Sequence, residues 1–229
     1  MPVSPALFGK VRTRRDFIAV ATPRRFLSVW EQWLQTSMAA SRESLRDGWN
    51  DAFLTAPIWR FWLGADICGA SALGAFMPSM DGVGRYFPLT YVAVAGTEAA
   101  LAPPEADARS PWFEQVEDFL LATLESRDHD DLLHAFENVA SPAENRRVEN
   151  RRVTRLDGDA DQTPVEGQAF ENSFALARAA DAARAASSST FWWTAGGEGF
   201  APCAISCRRL PSPAVFTAML TGRFEPGAP

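Results

Sequence analysis

The residues of this 229-residue chain best suited to chemistry lie between Met77 and Thr90, which read MPSMDGVGRYFPLT. Asp81 and Arg85 place an acid and a base four residues apart. Arg85 can grip a carboxylate in a two-pronged pair, either Asp81 or the more distant Asp16, or stack beside Tyr86 and Phe87. Pro78 and Pro88 fix φ at the two ends, Gly82 and Gly84 supply positive φ or close backbone approach, and Ser79 and Asp81 can bond local N–H groups. Two readings stay open. Asp16, Ser79, Asp81, Arg85 and Tyr86 form a surface for a phosphate or a partner's acidic group, or an Arg–Asp pair simply staples a turn to a sheet.

Other chemistries find less support. GVGRYF is neither GxGxxG nor a P-loop with its lysine, so nucleotide binding is not indicated. Asp16, Asp81 and Arg85 gathered around a phosphate or metal would make a hydrolase, the enzymatic alternative, but no carboxylate spacing for two metals accompanies them. His129 and His134, in RDHDDLLHAF, stand five residues apart, about 140° around a helix, whereas a metal-binding pair uses i, i+4 on one face. They read as a solvated helix start, with Asp128, Asp130 and Asp131 at the positive end of the dipole. Cys203 and Cys207 share one strand face without CxxC pairing and read as buried small hydrophobes. No GxSxG elbow is present. Neither a catalytic residue, a metal site nor a cofactor is assigned.

The elements that must position these residues follow from periodicity. Residues 5–11 read as a short strand. Pro23 opens a helix in which Phe26, Val29, Trp30, Trp33 and Leu34 form one apolar stripe. A second helix spans Glu43 to Leu54 and stops before Pro57. Ile58 to Leu63, Leu73 to Met77 and Tyr86 to Val94 predict a three-stranded meander. Residues 95–109 read as a flexible surface connection, and Ser110-Pro111 as the cap and first residue of a helix carrying Trp112, Phe113, Val116, Phe119, Leu120 and Leu124. A short helix holds Leu132, Leu133 and Phe136. Helix Ser173–Ala186, strands Thr190–Thr194 and Pro202–Cys207, and helix Pro213–Leu220 complete the pattern. The expected fold is one α/β domain spanning residues 1–229, a mixed or mostly antiparallel sheet covered by helices.

Composition narrows the function. Charged residues are 22% and hydrophobic residues 47% of the chain, the balance of a folded globular protein. A net charge of −6 argues against a general nucleic-acid binder. No apolar run reaches the ~18 residues of a membrane span, and the N-terminus lacks a secretory h-region. Three cysteines imply no disulfide framework, which fits a reducing cytoplasm. ENRRV occurs at Glu144–Val148 and again at Glu149–Val153, giving, with Arg155, a basic run of Arg146, Arg147, Arg151, Arg152 and Arg155: a solvated face or a site for an acidic partner. Eight tryptophans suit a large core or an interface hot spot. Trp192 and Trp193 would point to opposite faces of their strand.

Phe8-Gly9-Lys10, Asp16-Phe17, Phe26 to Leu34, Ala56-Pro57-Ile58-Trp59-Arg60-Phe61, Met77 to Thr90, and Trp192-Trp193-Thr194 with Gly196-Gly197 together resemble the TagF (ImpM) family in order and content through nearly the whole chain. The resemblance implies a cytoplasmic accessory protein that represses bacterial type VI secretion after translation, without catalysis, by binding the forkhead-associated scaffold protein of the apparatus. A structural subunit of the secretion machine is a further alternative. The chain departs from the family at Arg15, where a glycine is usual before Asp16-Phe17, at Ala21-Thr22 before Pro23, and at Gly82, where arginine is common.

Overall fold

A computed structural model describes residues 3–96, 99–126, 128–142, 145–146, 154–155, 161–163 and 170–225. Its frame is a seven-stranded sheet of β1 (Ser4–Gly9), β2 (Ile18–Val20), β3 (Trp59–Leu63), β4 (Ala72–Met77), β5 (Leu89–Val94), β10 (Thr190–Thr194) and β11 (Cys203–Cys207). The spatial order is β11-β10-β3-β4-β5-β1-β2, and every neighbouring pair is antiparallel. Four two-residue strands lie apart from it: β6 (Ala99–Ala100), which pairs with β7 (Asn145–Arg146), and β8 (Thr154–Arg155), which pairs with β9 (Asp161–Gln162). The expected α/β layered fold, with a mostly antiparallel sheet, is therefore the observed one.

Because side chains alternate across a strand, the five inner strands feed two cores. On one face Phe8, Trp59, Phe61, Phe76, Val92 and Trp192 meet Phe26, Trp30, Trp33 and Leu34 of α1 (Arg24–Leu45), Trp49 and Phe53 of α2 (Trp49–Leu54), and Phe216 and Met219 of α7 (Pro213–Thr221). On the other, Leu7, Trp62, Leu73, Met77, Leu89 and Tyr91 meet Trp112, Phe113, Val116 and Phe119 of α4 (Ser110–Ala122) and Leu132 and Phe136 of α5 (His129–Glu137). The short α3 (Ala65–Cys68) and the long α6 (Phe170–Ser187) complete the helices. None of the helices, among the described residues, is long and apolar enough to cross a membrane.

The tryptophans resolve toward core. Trp30, Trp33, Trp49, Trp59, Trp62, Trp112 and Trp192 are buried, and each indole N–H has an acceptor. Trp33 donates to the Pro211 carbonyl at 2.8 Å, Trp59 to the Met219 carbonyl at 3.0 Å and Trp112 to the Ala140 carbonyl at 2.8 Å. Such bonds fix how helices and loops seat on the sheet, because an unpaired buried N–H would be costly. Trp193, on the opposite face from Trp192, is half-buried.

Several boundaries differ from the sequence expectation. The first helix runs through Leu45 and only then yields to a 3₁₀ turn at Arg46–Gly48, so the stretch from Glu43 divides between α1 and α2. The third meander strand starts at Leu89, not Tyr86; Tyr86 instead bridges Met80. Arg109, not Ser110, occupies the cap of α4, in the left-handed region at φ 45°. Residues 95–109 are expected from the sequence to form a flexible connection, but residues 99–109 are clamped at Leu101. Leu101 is buried, its N–H donates to Ser71 Oγ at 2.9 Å and its carbonyl accepts from Trp62 at 3.0 Å. Cys203 and Cys207 share a strand as expected but are half-buried, because β11 is an edge. Of the arginine run, Arg146 lies in β7 and Arg155 in β8; Glu144, Arg147, Glu149, Arg151 and Arg152 lie outside the described residues.

Candidate functional site

The segments after β1 and β4 converge at one end of the sheet and are locked together through one carboxylate. Asp81 is 2% exposed. Its Oδ1 accepts from the N–H groups of Val83 at 3.1 Å and Arg85 at 2.9 Å. Its Oδ2 lies 2.7 Å from Arg85 Nε and 2.9 Å from Lys10 Nζ. Burial pushes the carboxyl upward, but the Arg85 N–H, the Lys10 ammonium, the Arg85 guanidinium and the Val83 N–H outweigh it and hold the group well below the usual carboxylate range. The Asp81 N–H donates to the Arg85 carbonyl at 3.1 Å and the Gly84 N–H to the Asp81 carbonyl at 3.0 Å. Gly84, at φ 83°, supplies the positive φ that closes this turn.

Further bonds tie the turn to the N-terminal loop. Gly82 donates to the Arg14 carbonyl at 2.7 Å, and Ser79 Oγ donates to the Lys10 carbonyl at 2.7 Å. Arg85 Nη2 reaches the Arg15 carbonyl. Gly82 is needed for closeness: a Cβ there would stand 2.9 Å from the Arg12 carbonyl oxygen and 3.2 Å from that of Arg14. Below the loops, Phe17 stacks on Phe8 at 5.8 Å and meets Phe87 edge-on at 4.8 Å, and Lys10 Nζ sits 5.0 Å from the Phe17 ring centre. Tyr86 packs 5.8 Å from Trp49 and 5.7 Å from Phe53, which anchors the turn to α2.

The five residues singled out in the sequence are thus placed differently. Ser79 and Asp81 are buried and Tyr86 is half-buried, all three committed to internal contacts. Arg85 is joined to Asp81, with 59% of its side chain still exposed. Asp16 lies on the surface, where its Oδ1 accepts from the Phe17 N–H at 2.8 Å; among the described residues it forms no ion pair, and Arg85 pairs with Asp81 instead. The residues not singled out as binders are Lys10, which completes the ion cluster, and Arg12, Arg14 and Arg15, which ring it on the surface. Their signal was the run VRTRRDF directly following Phe8-Gly9-Lys10.

α5 flanks this end of the molecule. Asp128 caps it by accepting from the Asp130 N–H at 3.1 Å, so the histidine segment is the expected helix start. Burial and the nearby Arg14 charge push His129 below its ordinary value, against the opposing pull of Asp130 and Asp128.

Elsewhere a cleft of about 750 Å³ is lined by Trp62, Asp66, Ser71, Leu101, Arg184 and Ser187, among others. Ser187 Oγ donates to Asp66 Oδ2 at 2.5 Å, but no histidine lines the cleft, so the pair lacks the base that would activate a serine.

The chain is similar both to a family model and to solved structures. The family model described as the TagF N-terminal domain, type VI secretion system-associated, matches residues 6–139, which include both loops and the whole Asp81 cluster. The crystal structure of PA0076 from Pseudomonas aeruginosa PAO1 superposes with a TM-score of 0.78 at 30% sequence identity, covering 99% of this chain and 100% of that one. No curated protein sequence matches.

Proposed function

We propose, because this chain belongs to the TagF family of type VI secretion system-associated proteins, that it is a cytoplasmic repressor of that secretion which acts after translation by reversible binding to the forkhead-associated scaffold protein of the apparatus. Catalysis forms no part of the reading. The observation that carries it is the use made of Asp81. Both carboxylate oxygens already accept from Lys10, Arg85 and two backbone N–H groups. To serve as nucleophile, base or metal ligand it would have to abandon a buried ion cluster, at a cost of several kcal/mol. What the cluster does instead is hold two loops in one shape at the protein surface, which is what a recognition element requires.

The test is capture from the native bacterium. Tagged wild-type protein is expected to retain the scaffold protein in washes at moderate salt, and deletion of the gene is expected to raise secretion without raising apparatus transcripts. Folded wild-type protein that retains no secretion component would overturn the reading, as would turnover of a phosphorylated substrate that Asp81→Asn abolishes while the fold persists.

A further inference from the structure

We infer that Arg12, Arg14, Arg15 and Arg85, with Phe17 and Val83 beside them, form a preorganised rim that docks an acidic surface of a protein partner. The inference rests on the protein-binding reading and adds where the partner sits and by what chemistry.

Charge supplies the first argument. The chain carries a net −6, yet these two loops bring together Lys10 and four arginines against only Asp16 and Asp81. Asp81 is buried and spent on Lys10 and Arg85, and Asp16 accepts from the neighbouring Phe17 N–H. Arg12, Arg14 and Arg15 are exposed, and among the described residues none of them has an ion-pair partner. The acidic start of α5 lies near enough to Arg14 for that charge to act on His129, but it forms no ion pair with the rim. A local positive field on an acidic protein selects a compact acidic surface and disfavours a long polyanion, whose remaining charges would face a repelling molecule.

Rigidity supplies the second. The backbone of the rim is fixed before any partner arrives. Arg14 N–H donates to the Val11 carbonyl at 3.2 Å and the Arg14 carbonyl accepts from Gly82 at 2.7 Å, while the Arg15 carbonyl accepts from Arg85. Only side-chain tips remain to be ordered on binding, so less entropy is lost. Phe17, 40% exposed, and Val83, 55% exposed, add apolar surface next to guanidinium groups, the composition of an interface centre.

The experiment measures the affinity of purified full-length chain for the scaffold protein at about 50 and 300 mM salt, between which the screening length falls by a factor of about 2.4. The triple variant Arg12→Glu, Arg14→Glu, Arg15→Glu is expected to bind at least tenfold more weakly at low salt, chiefly through slower association, and to lose most of the salt dependence. Its thermal midpoint should match wild type, since all three side chains are exposed. The control Arg208→Glu, Arg209→Glu, two exposed arginines following the opposite edge strand β11, should change neither quantity. A triple variant that binds like wild type with the same salt dependence overturns the docking surface and leaves the binding reading standing. Folded wild-type chain that does not bind the scaffold at all overturns the reading, and the surface with it.

Discussion

Lys10 Nζ lies 2.9 Å from Asp81 Oδ2 with the two side chains only 8% and 0% exposed, so an ion pair seals the junction between the segment that leaves β1 and the turn that leaves β4. A pair this dry is asymmetric in its energetics. Replacing both members by apolar groups can cost little, but removing one strands the other's charge away from water.

Asp81→Ala should therefore be the most damaging single change at this end of the molecule. Lys10 and the N–H groups of Val83 and Arg85 lose their acceptor together, and a loss of about 3–5 kcal/mol is expected. At about 2–4 °C per kcal/mol for a chain of this size, the midpoint falls by roughly 10 °C. Lys10→Met combined with Asp81→Ala should cost clearly less than the sum of the single changes, because the stranded charge is gone. Additive midpoints by calorimetry would contradict the coupling.

The pH response follows from the same carboxylate. The folded state holds Asp81 ionised well below its ordinary range, so between the unfolded and folded values the unfolded chain binds more protons. Stability from this group is complete above about pH 5 and drains away as pH drops below about 4. Other carboxylates titrate there too, so the measurement is a difference. Wild type minus Asp81→Asn, from urea midpoints at pH 3–7, should shrink toward acid. A constant difference would mean that Asp81 contributes shape without charge.

Arg60 makes the two-pronged contact sought in the sequence for Arg85. Its Nε and Nη2 each donate to Glu117 at 2.7 Å, across the interface between β3 and α4, with the guanidinium 5.5 Å from the Phe113 ring centre. With side chains 13% and 18% exposed, the pair is partly screened. Arg60→Lys keeps the charge but cannot reproduce the fork, so a loss of about 1 kcal/mol is expected. Equal stability of Arg60→Lys and wild type would show that charge alone docks α4.

Much of this architecture was written in periodicity and punctuation. The Ile58–Leu63 alternation placed β3 with Trp59 and Phe61 on one face and Trp62 on the other, and Thr190–Thr194 coincides with β10. Local signals suffice where one strand face meets one helix stripe. Long-range arrangements left no such trace. Strand β2 is three residues long and exists through its pairing with β1, and Lys10 meets Asp81 only after the sheet brings β1 beside β5. At the site, the Asp81–Arg85 spacing announced a turn. That Ser79, Asp81 and Tyr86 face inward, while Arg12, Arg14 and Arg15 face solvent, depends on tertiary packing that no spacing encodes.

Gly82 tests whether the two loops act as one element. Any Cβ at this position would press on two backbone carbonyls of the N-terminal loop, and backbone atoms yield less readily than side-chain ends. Gly82→Arg should therefore push residues 12–15 outward and break the bond from the Gly82 N–H to the Arg14 carbonyl. A cost of about 1–2 kcal/mol is expected from the lost bond and the overpacking. Hydrogen exchange is the discriminating measurement. The residue-82 and Arg85 amides should lose protection, while amides of β4 and β5 retain theirs, because the sheet does not depend on the loop contact. Affinity for the partner should fall with slower association, the arginines being retained but no longer held in place. Unchanged protection at residue 82 would mean that the N-terminal loop accommodates a side chain without moving, and the preorganisation argument would fail at its root.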